Sequence, residues 1–183
     1  MRHHFVAFIA VLFAAAVPAM ALSQSSKNKK EPEWQAYESE LMNYKTHFPG
    51  KPTEKTKKPN SKAGDLIVNT ASLESKDLIY AVTATQYPEK IKEADSKQLF
   101  TAAKDALSAN GGKIVTDEAV SITGPNDTKR DGRDVTVEYG KLRIRTRLLL
   151  IDSILYQVSV TGTEKALANP LAGKFLSSFE LTK

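Results

Sequence analysis

Cysteine is absent from all 183 residues. With no thiol there can be no disulfide, no thiol nucleophile, no cysteine-ligated zinc and no iron–sulfur cluster. Histidine is almost missing too. His3 and His4 sit at the very start, and His47 is the only other one. Catalytic zinc sites typically use two or three imidazoles, so none can be assembled beyond that start. A Ser–His–Asp relay would have to run through His47, whose neighbours Thr46, Phe48 and Pro49 make no nucleophile elbow. Alternation instead puts His47 on the polar side of a strand, at the surface.

Other absences narrow the field further. No Gly-rich phosphate loop is present; Asn110-Gly111-Gly112-Lys113 ends a helix, whereas a phosphate loop begins one. The stretch from Asn126 to Asp134 holds Asp127, Asp131 and Asp134 near Gly132, but lacks calcium-loop spacing and carries three basic residues, so it reads as a polar turn. Glu93, Asp95, Asp105, Asp117 and Glu118 show no spacing that identifies an acid–base couple. The sequence therefore offers no catalytic residue, no metal site and no cofactor site, and the chain is expected not to be an enzyme.

What is there begins with an address. Met1-Arg2-His3-His4 is a short basic start, Phe5 to Val17 is unbroken apolar sequence, and Ala19-Met20-Ala21 puts small residues where a signal peptidase reads. Residues 1–21 are thus expected to be a signal peptide cleaved after Ala21, delivering the chain to a periplasm or the extracellular space. No later run approaches the roughly 18 apolar residues of a membrane helix, and no cysteine follows that could be lipidated. Removing 21 of 183 residues leaves 162, enough for one core, and lowers the net charge from +5 to +4 as Arg2 departs.

Residues 22–39 read as a flexible tail or linker, disordered to about residue 33, and residues 40–183 as one domain. Two lysine-rich tracts carry the positive excess: Lys27, Lys29 and Lys30, then Lys51, Lys55, Lys57, Lys58 and Lys62 among prolines. Both read as solvated tail and loop. Aromatic interleaving is nearly absent, which argues against single-stranded nucleic acid as a partner.

Alternation marks a strand from Met42 to Phe48, stopped by Pro49-Gly50, and a hairpin from Asp65–Leu73 to Leu78–Gln86. Asp95 with Gln98 predicts a capped helix start, and Asn110-Gly111-Gly112 its end. Residues 113–118 and 120–123 read as short strands. A meander follows from Arg133 to Gly162. With Tyr139-Gly140 as its first turn, Glu138 faces Lys141, Thr136 faces Arg143 and Asp134 faces Arg145. A three-residue second turn, Asp152-Ser153-Ile154, sets Leu148 against Val158. Asn169-Pro170 opens a final helix. The fold class is α+β: an antiparallel sheet of hairpins and a C-terminal meander, covered by two α-helices.

Three segments resemble small exported domains of the PsbP-like fold group. They are Tyr44 to Pro52 (Tyr-Lys-Thr-His-Phe-Pro-Gly-Lys-Pro), Leu155 to Gly162 (Leu-Tyr-Gln-Val-Ser-Val-Thr-Gly) and Lys174 to Leu181 (Lys-Phe-Leu-Ser-Ser-Phe-Glu-Leu). The resemblance spans about residues 40–183. It implies the fold and carries over no catalytic or ligand-binding residue.

One charge feature stands out. Lys141, Arg143, Arg145 and Arg147 alternate along a strand and share a face, a candidate anion-binding surface for phosphate, phospholipid or an acidic protein. In the register above, Asp134 and Glu138 neutralise Arg145 and Lys141, which leaves Arg143 and Arg147 least accounted for. The leading functional expectation is an exported, soluble, noncatalytic accessory or binding domain of the cell envelope, with an envelope protein or an anionic surface as partner. One alternative is a carrier of a small hydrophobic ligand lined by Tyr80, Tyr87, Leu99, Phe100 and Tyr156. An unrecognised hydrolase is the other.

Overall fold

Most of the described residues are committed to antiparallel strands. The computed structural model describes residues 32–61, 64–88 and 93–182; the expected signal peptide, with its expected cleavage after Ala21, and residues 22–31 lie outside the described residues. In chain order the elements are β1 (Gln35–Ser39), β2 (Tyr44–Phe48), β3 (Thr53–Lys57), β4 (Asn60–Ser61), β5 (Gly64–Asp65), β6 (Ile67–Glu74), β7 (Leu78–Gln86), α1 (Glu93–Ser108), β8 (Lys113–Thr123), β9 (Lys129–Tyr139), β10 (Leu142–Ile151), β11 (Ile154–Thr163), α2 (Glu164–Leu167), α3 (Pro170–Ser177) and β12 (Glu180–Leu181). A seven-stranded sheet runs β3-β6-β7-β11-β10-β9-β8, and a three-stranded sheet runs β1-β2-β12. The expected α+β class holds, with three α-helices among the described residues where two were expected.

The large sheet is filled on both faces, which alternation along its strands makes possible. Tyr80, Val82, Leu149, Tyr156, Val158 and Val160 point to one face, where the small sheet and the C-terminal helices cover them through Tyr44, Phe48, Phe175 and Phe179. Val135, Val137, Leu148 and Leu155 point to the other, under Leu99, Ala103 and Leu107 of α1. Aromatic rings knit the first layer. Tyr44 stacks on Phe179 at 5.4 Å, Phe175 meets Phe48 at 5.0 Å and Tyr80 at 5.2 Å. Such pairs are worth about 0.5–1.5 kcal/mol each beyond their area. The Tyr156 hydroxyl donates to the Met42 carbonyl at 2.7 Å, so no polar atom of that ring is stranded.

Several sequence expectations need correction. Gln35–Ser39, assigned to the tail, is a strand paired with β2 from Gln35↔Phe48 to Ser39↔Tyr44. The lysine-rich loop contains β3, an edge strand whose alternate Glu54 and Thr56 reach back to Asn69. Asp95 lies inside α1, which begins at Glu93, so it is not the N-cap. Residues 113–123 form one long strand, because a bulge between Ile114 and Thr116 absorbs the irregularity within it. At the other end of α1, Asn110 and Gly111 take φ 62° and 91°, the left-handed stop expected there.

Both meander turns differ from expectation, each for a backbone reason. The first turn is Gly140-Lys141, because Gly140 takes φ 59° at the first central position, where tight hairpins need a positive φ. The pairing therefore moves by two residues, and every side chain keeps its expected face. The second turn is Asp152-Ser153, with Asp152 at φ 52°, and it sets Arg147 opposite Val158 and Leu149 opposite Tyr156. A single-sided core would disfavour that pairing. Here Leu148 and Leu149 are both fully buried, on opposite faces, and nothing is lost.

Candidate functional site

The cationic strip lies on β10, on the face that carries α2. Moving the register by two residues exchanges its partners. Arg143 pairs with Glu138 and Arg147 with Asp134 across the hairpin. The Arg147 Nε and Nη2 donate to the Asp134 Oδ1 and Oδ2, both at 2.8 Å, a bidentate fork. Arg143 donates through Nε and Nη2 to Glu138 Oε2 at 3.0 and 2.8 Å, and its Nη1 reaches Glu164 Oε1 on α2 at 2.6 Å. Hydrogen bonding to Glu138 and to Asp134 raises the two guanidinium pKa values, so both arginines stay charged. These are the two cations that sequence pairing left unaccounted for. The two it expected to be neutralised, Lys141 and Arg145, are exposed and have no carboxylate partner among the described residues. Arg145 faces Thr136 across the hairpin, where its neighbours face acids.

The strip is thus an ion-pair ladder with a vacant middle rung. Its surroundings mix charge signs, since Asp134, Glu138, Glu164 and the nearby Glu118 offset the arginines. A surface of this kind suits a partner with matching charges of both signs better than a uniformly anionic one.

A second charged cluster, missed in the sequence, ties α1 to the sheet on the opposite face. Lys104 Nζ lies 2.7 Å from Asp117 Oδ2, and Arg133 donates to Asp117 Oδ1 at 2.7 Å and to its carbonyl at 3.1 Å. Burial alone would raise the Asp117 pKa, but the hydrogen bonds from Lys104 and Arg133 outweigh it and hold the carboxyl below its usual value. No spacing signal links residues 104, 117 and 133; only the β8–β9 register and the position of α1 bring them together.

A third group gathers under the small sheet. Asn69, fully buried, donates through Nδ2 to Glu54 Oε1 at 2.6 Å and to Thr56 Oγ1 at 3.0 Å. Burial, reinforced by Glu54, pushes the Tyr37 hydroxyl up to about 12, and burial also raises Tyr44 strongly. Neither phenol ionises near neutrality; the Asn69 bonds fasten β3 to β6, and the Tyr37 and Tyr44 rings, 6.0 Å apart, join β1 to β2.

The remaining candidates resolve plainly. The His47 side chain is exposed, and the nearby Ser178 Oγ accepts from the His47 backbone N–H at 3.1 Å and shares a hydrogen bond with Thr46. That serine caps α3, and its hydrogen bonds run to Thr46 and to the backbone of His47 and Phe175. Asp131 and Asp134 lie on β9 and point to opposite faces, and no group of three metal-type side chains occurs among the described residues. The five residues suggested for a ligand pocket do not share one. Tyr80 and Tyr156 belong to the layer under the small sheet, whereas Tyr87, Leu99 and Phe100 pack beneath α1 on the far side. The sheet itself separates the two sets, which removes that pocket. A shallow depression of about 310 Å³ does lie along α1, but it is lined by Lys97, Gln98, Thr101, Ala102 and Asp105 and is open to solvent.

No protein-family model and no curated protein matches this sequence. Among solved structures, the solution structure of cyanobacterial PsbP (CyanoP) from Synechocystis sp. PCC 6803 superposes with a TM-score of 0.54. The match covers 86% of this chain and 98% of that one, at 15% sequence identity. The chain therefore has a PsbP-like fold, as its three signature segments implied. At such identity the likeness concerns fold alone. No helix among the described residues is long and apolar enough to cross a membrane.

Proposed function

We propose that this chain is an exported, noncatalytic accessory domain that binds and supports another component of the cell envelope, in the periplasm or outside the cell. The observation that carries the reading is a PsbP-like fold placed behind a leader with an Ala19-Met20-Ala21 cleavage motif. The side-chain chemistry supports it. Arg143 and Arg147 are spent on holding strands and α2 together, which leaves Arg145 and Lys141 as the strip's outward contacts. Mixed charge around them favours a protein partner over an anionic lipid face.

Two measurements test the reading. Intact mass of the protein recovered from the envelope fraction should begin at Leu22, and cross-linking in whole cells should capture one recurrent protein. A cytoplasmic chain that still begins at Met1, or repeated cross-linking with no partner, would overturn it. Binding to anionic vesicles that is unchanged by Arg145→Glu and by salt would remove the strip from the interface.

A further inference from the structure

The two edges of the large sheet are unlike. At one edge, β3 is five residues long, exposed throughout, set between Pro52 and Pro59, and carries Lys55 and Lys57. Short length, lysine and flanking proline are the means by which proteins stop an edge from pairing with another chain. At the other edge, β8 is 11 residues long and contains neither proline nor, after Lys113, any basic residue. Its backbone hydrogen-bonds to β9, and among the described residues no strand lies beyond it. The bulge at Ile114/Thr116 disrupts its first turns, and the Asp117 carbonyl is taken by Arg133, so the regular open stretch runs from residue 118 to residue 123.

Along that stretch the side chains alternate. Glu118, Val120 and Ile122 share the face that carries the arginine ladder, and Ile122 packs against the core beneath it. Glu118 is exposed and has no counter-ion among the described residues. A strand added beside β8 would set one of its residues opposite each of these three. Complementarity then asks for a basic residue opposite Glu118 and apolar residues opposite Val120 and Ile122.

We infer that β8 accepts an extended segment of a partner protein by strand addition, and that the segment carries a basic residue two positions from a pair of alternating apolar ones. Main-chain hydrogen bonds supply the attachment, and Glu118 supplies the preference for charge. The inference rests on the reading of this chain as a binding domain and specifies where and how the partner is held.

The test uses the mature full chain and a synthetic peptide, Lys-Thr-Val-Thr-Val-Thr-Lys, which presents the same pattern in either strand direction. Amide hydrogen exchange followed by NMR should slow at least tenfold, when peptide is added, at those amides of residues 118–123 that do not already bond to β9. A peptide with glutamate at both lysine positions should bind at least fivefold more weakly, and Glu118→Lys should reverse that preference. Protection at β3, protection nowhere, or a charge preference that Glu118→Lys leaves unchanged would overturn the inference. So would a concentration-dependent dimer in sedimentation that closes the 118–123 edge without peptide. If whole-cell cross-linking captures a partner while the peptide does nothing, strand addition fails and the accessory reading stands.

Discussion

The Arg147–Asp134 fork separates a structural role for the strip from a binding one, and the structure sets its size. Its side chains retain 23% and 34% of their exposure, so solvent screens the pair only in part. Fully exposed pairs contribute roughly 0.2–1 kcal/mol, and breaking fully buried ones costs about 3–5 kcal/mol. Two parallel charge-assisted bonds at 2.8 Å on a rigid strand pair place this fork between those limits. A coupling energy of about 1–2 kcal/mol follows, which corresponds to a Tm change of about 2–8 °C for a domain of this size. The assay is a double-mutant cycle of Arg147→Met, Asp134→Ala and the double variant, read by urea denaturation at low and high salt. Arg145→Met, run in parallel, should stay within about 0.5 kcal/mol of wild type, because no carboxylate holds it. A coupling below about 0.3 kcal/mol, or an Arg145 effect as large as that of Arg147, would refute the assignment of Arg147 to structure.

Three further outcomes follow from features on other elements. Asp117 binds its proton less tightly folded than unfolded, so its pairing stabilises fully above the ordinary value of 3.8 and is lost as pH falls through the lower folded value. The stability gap between wild type and Asp117→Asn should therefore be wide at pH 6 and shrink in strong acid; a gap independent of pH would contradict this. The Tyr139 hydroxyl donates to the Leu107 and Ala109 carbonyls, closing the last turn of α1. Tyr139→Phe should cost about 0.5–1.5 kcal/mol and speed amide exchange at the end of α1 while leaving β6 and β7 unchanged. A Cβ on Gly162 would lie 2.7 Å from Leu78 Cδ2 and 2.8 Å from the Asp77 carbonyl. Gly162→Ala should lower stability by about 1–3 kcal/mol in denaturant titration, more than Ala at Gly173, where nothing lies within 4 Å.

Elements whose signals are local were legible in the sequence. The Asn110-Gly111 stop, the Asn169-Pro170 start and the Leu78–Gln86 strand all occur where their residues indicated, because each depends on backbone chemistry within a few positions. The register of the first hairpin was legible only as to face, and that of the second was off by one residue, which changed its facing as well. A choice between Tyr139-Gly140 and Gly140-Lys141 turns on which central position takes the positive φ, and a glycine shared by both does not decide it. That one step swapped which cations of the strip are neutralised: the four share a face, as alternation indicated, but among the described residues Arg143 and Arg147 are the paired members and Lys141 and Arg145 the unpaired ones. The ligand pocket failed for a related reason. Leu148, Leu149 and Leu150 in a row signal a strand covered on both sides, and a single-sided reading placed residues from both faces into one cavity. The Asp117 and Asn69 clusters join residues far apart in sequence, so no periodicity could reveal them.

The small sheet has a consequence for timing. β2 is held on its second side by β12, through Lys45↔Glu180 and Tyr44↔Leu181, and Thr46 meets Ser178. The aromatic layer that fixes β2 also draws on Phe175 and Phe179. None of these contacts can form until residues 175–181 have been synthesised. An early strand therefore waits, half-paired, for one more than 130 residues later, and the growing chain stays unlatched until residues 175–181 arrive to close it.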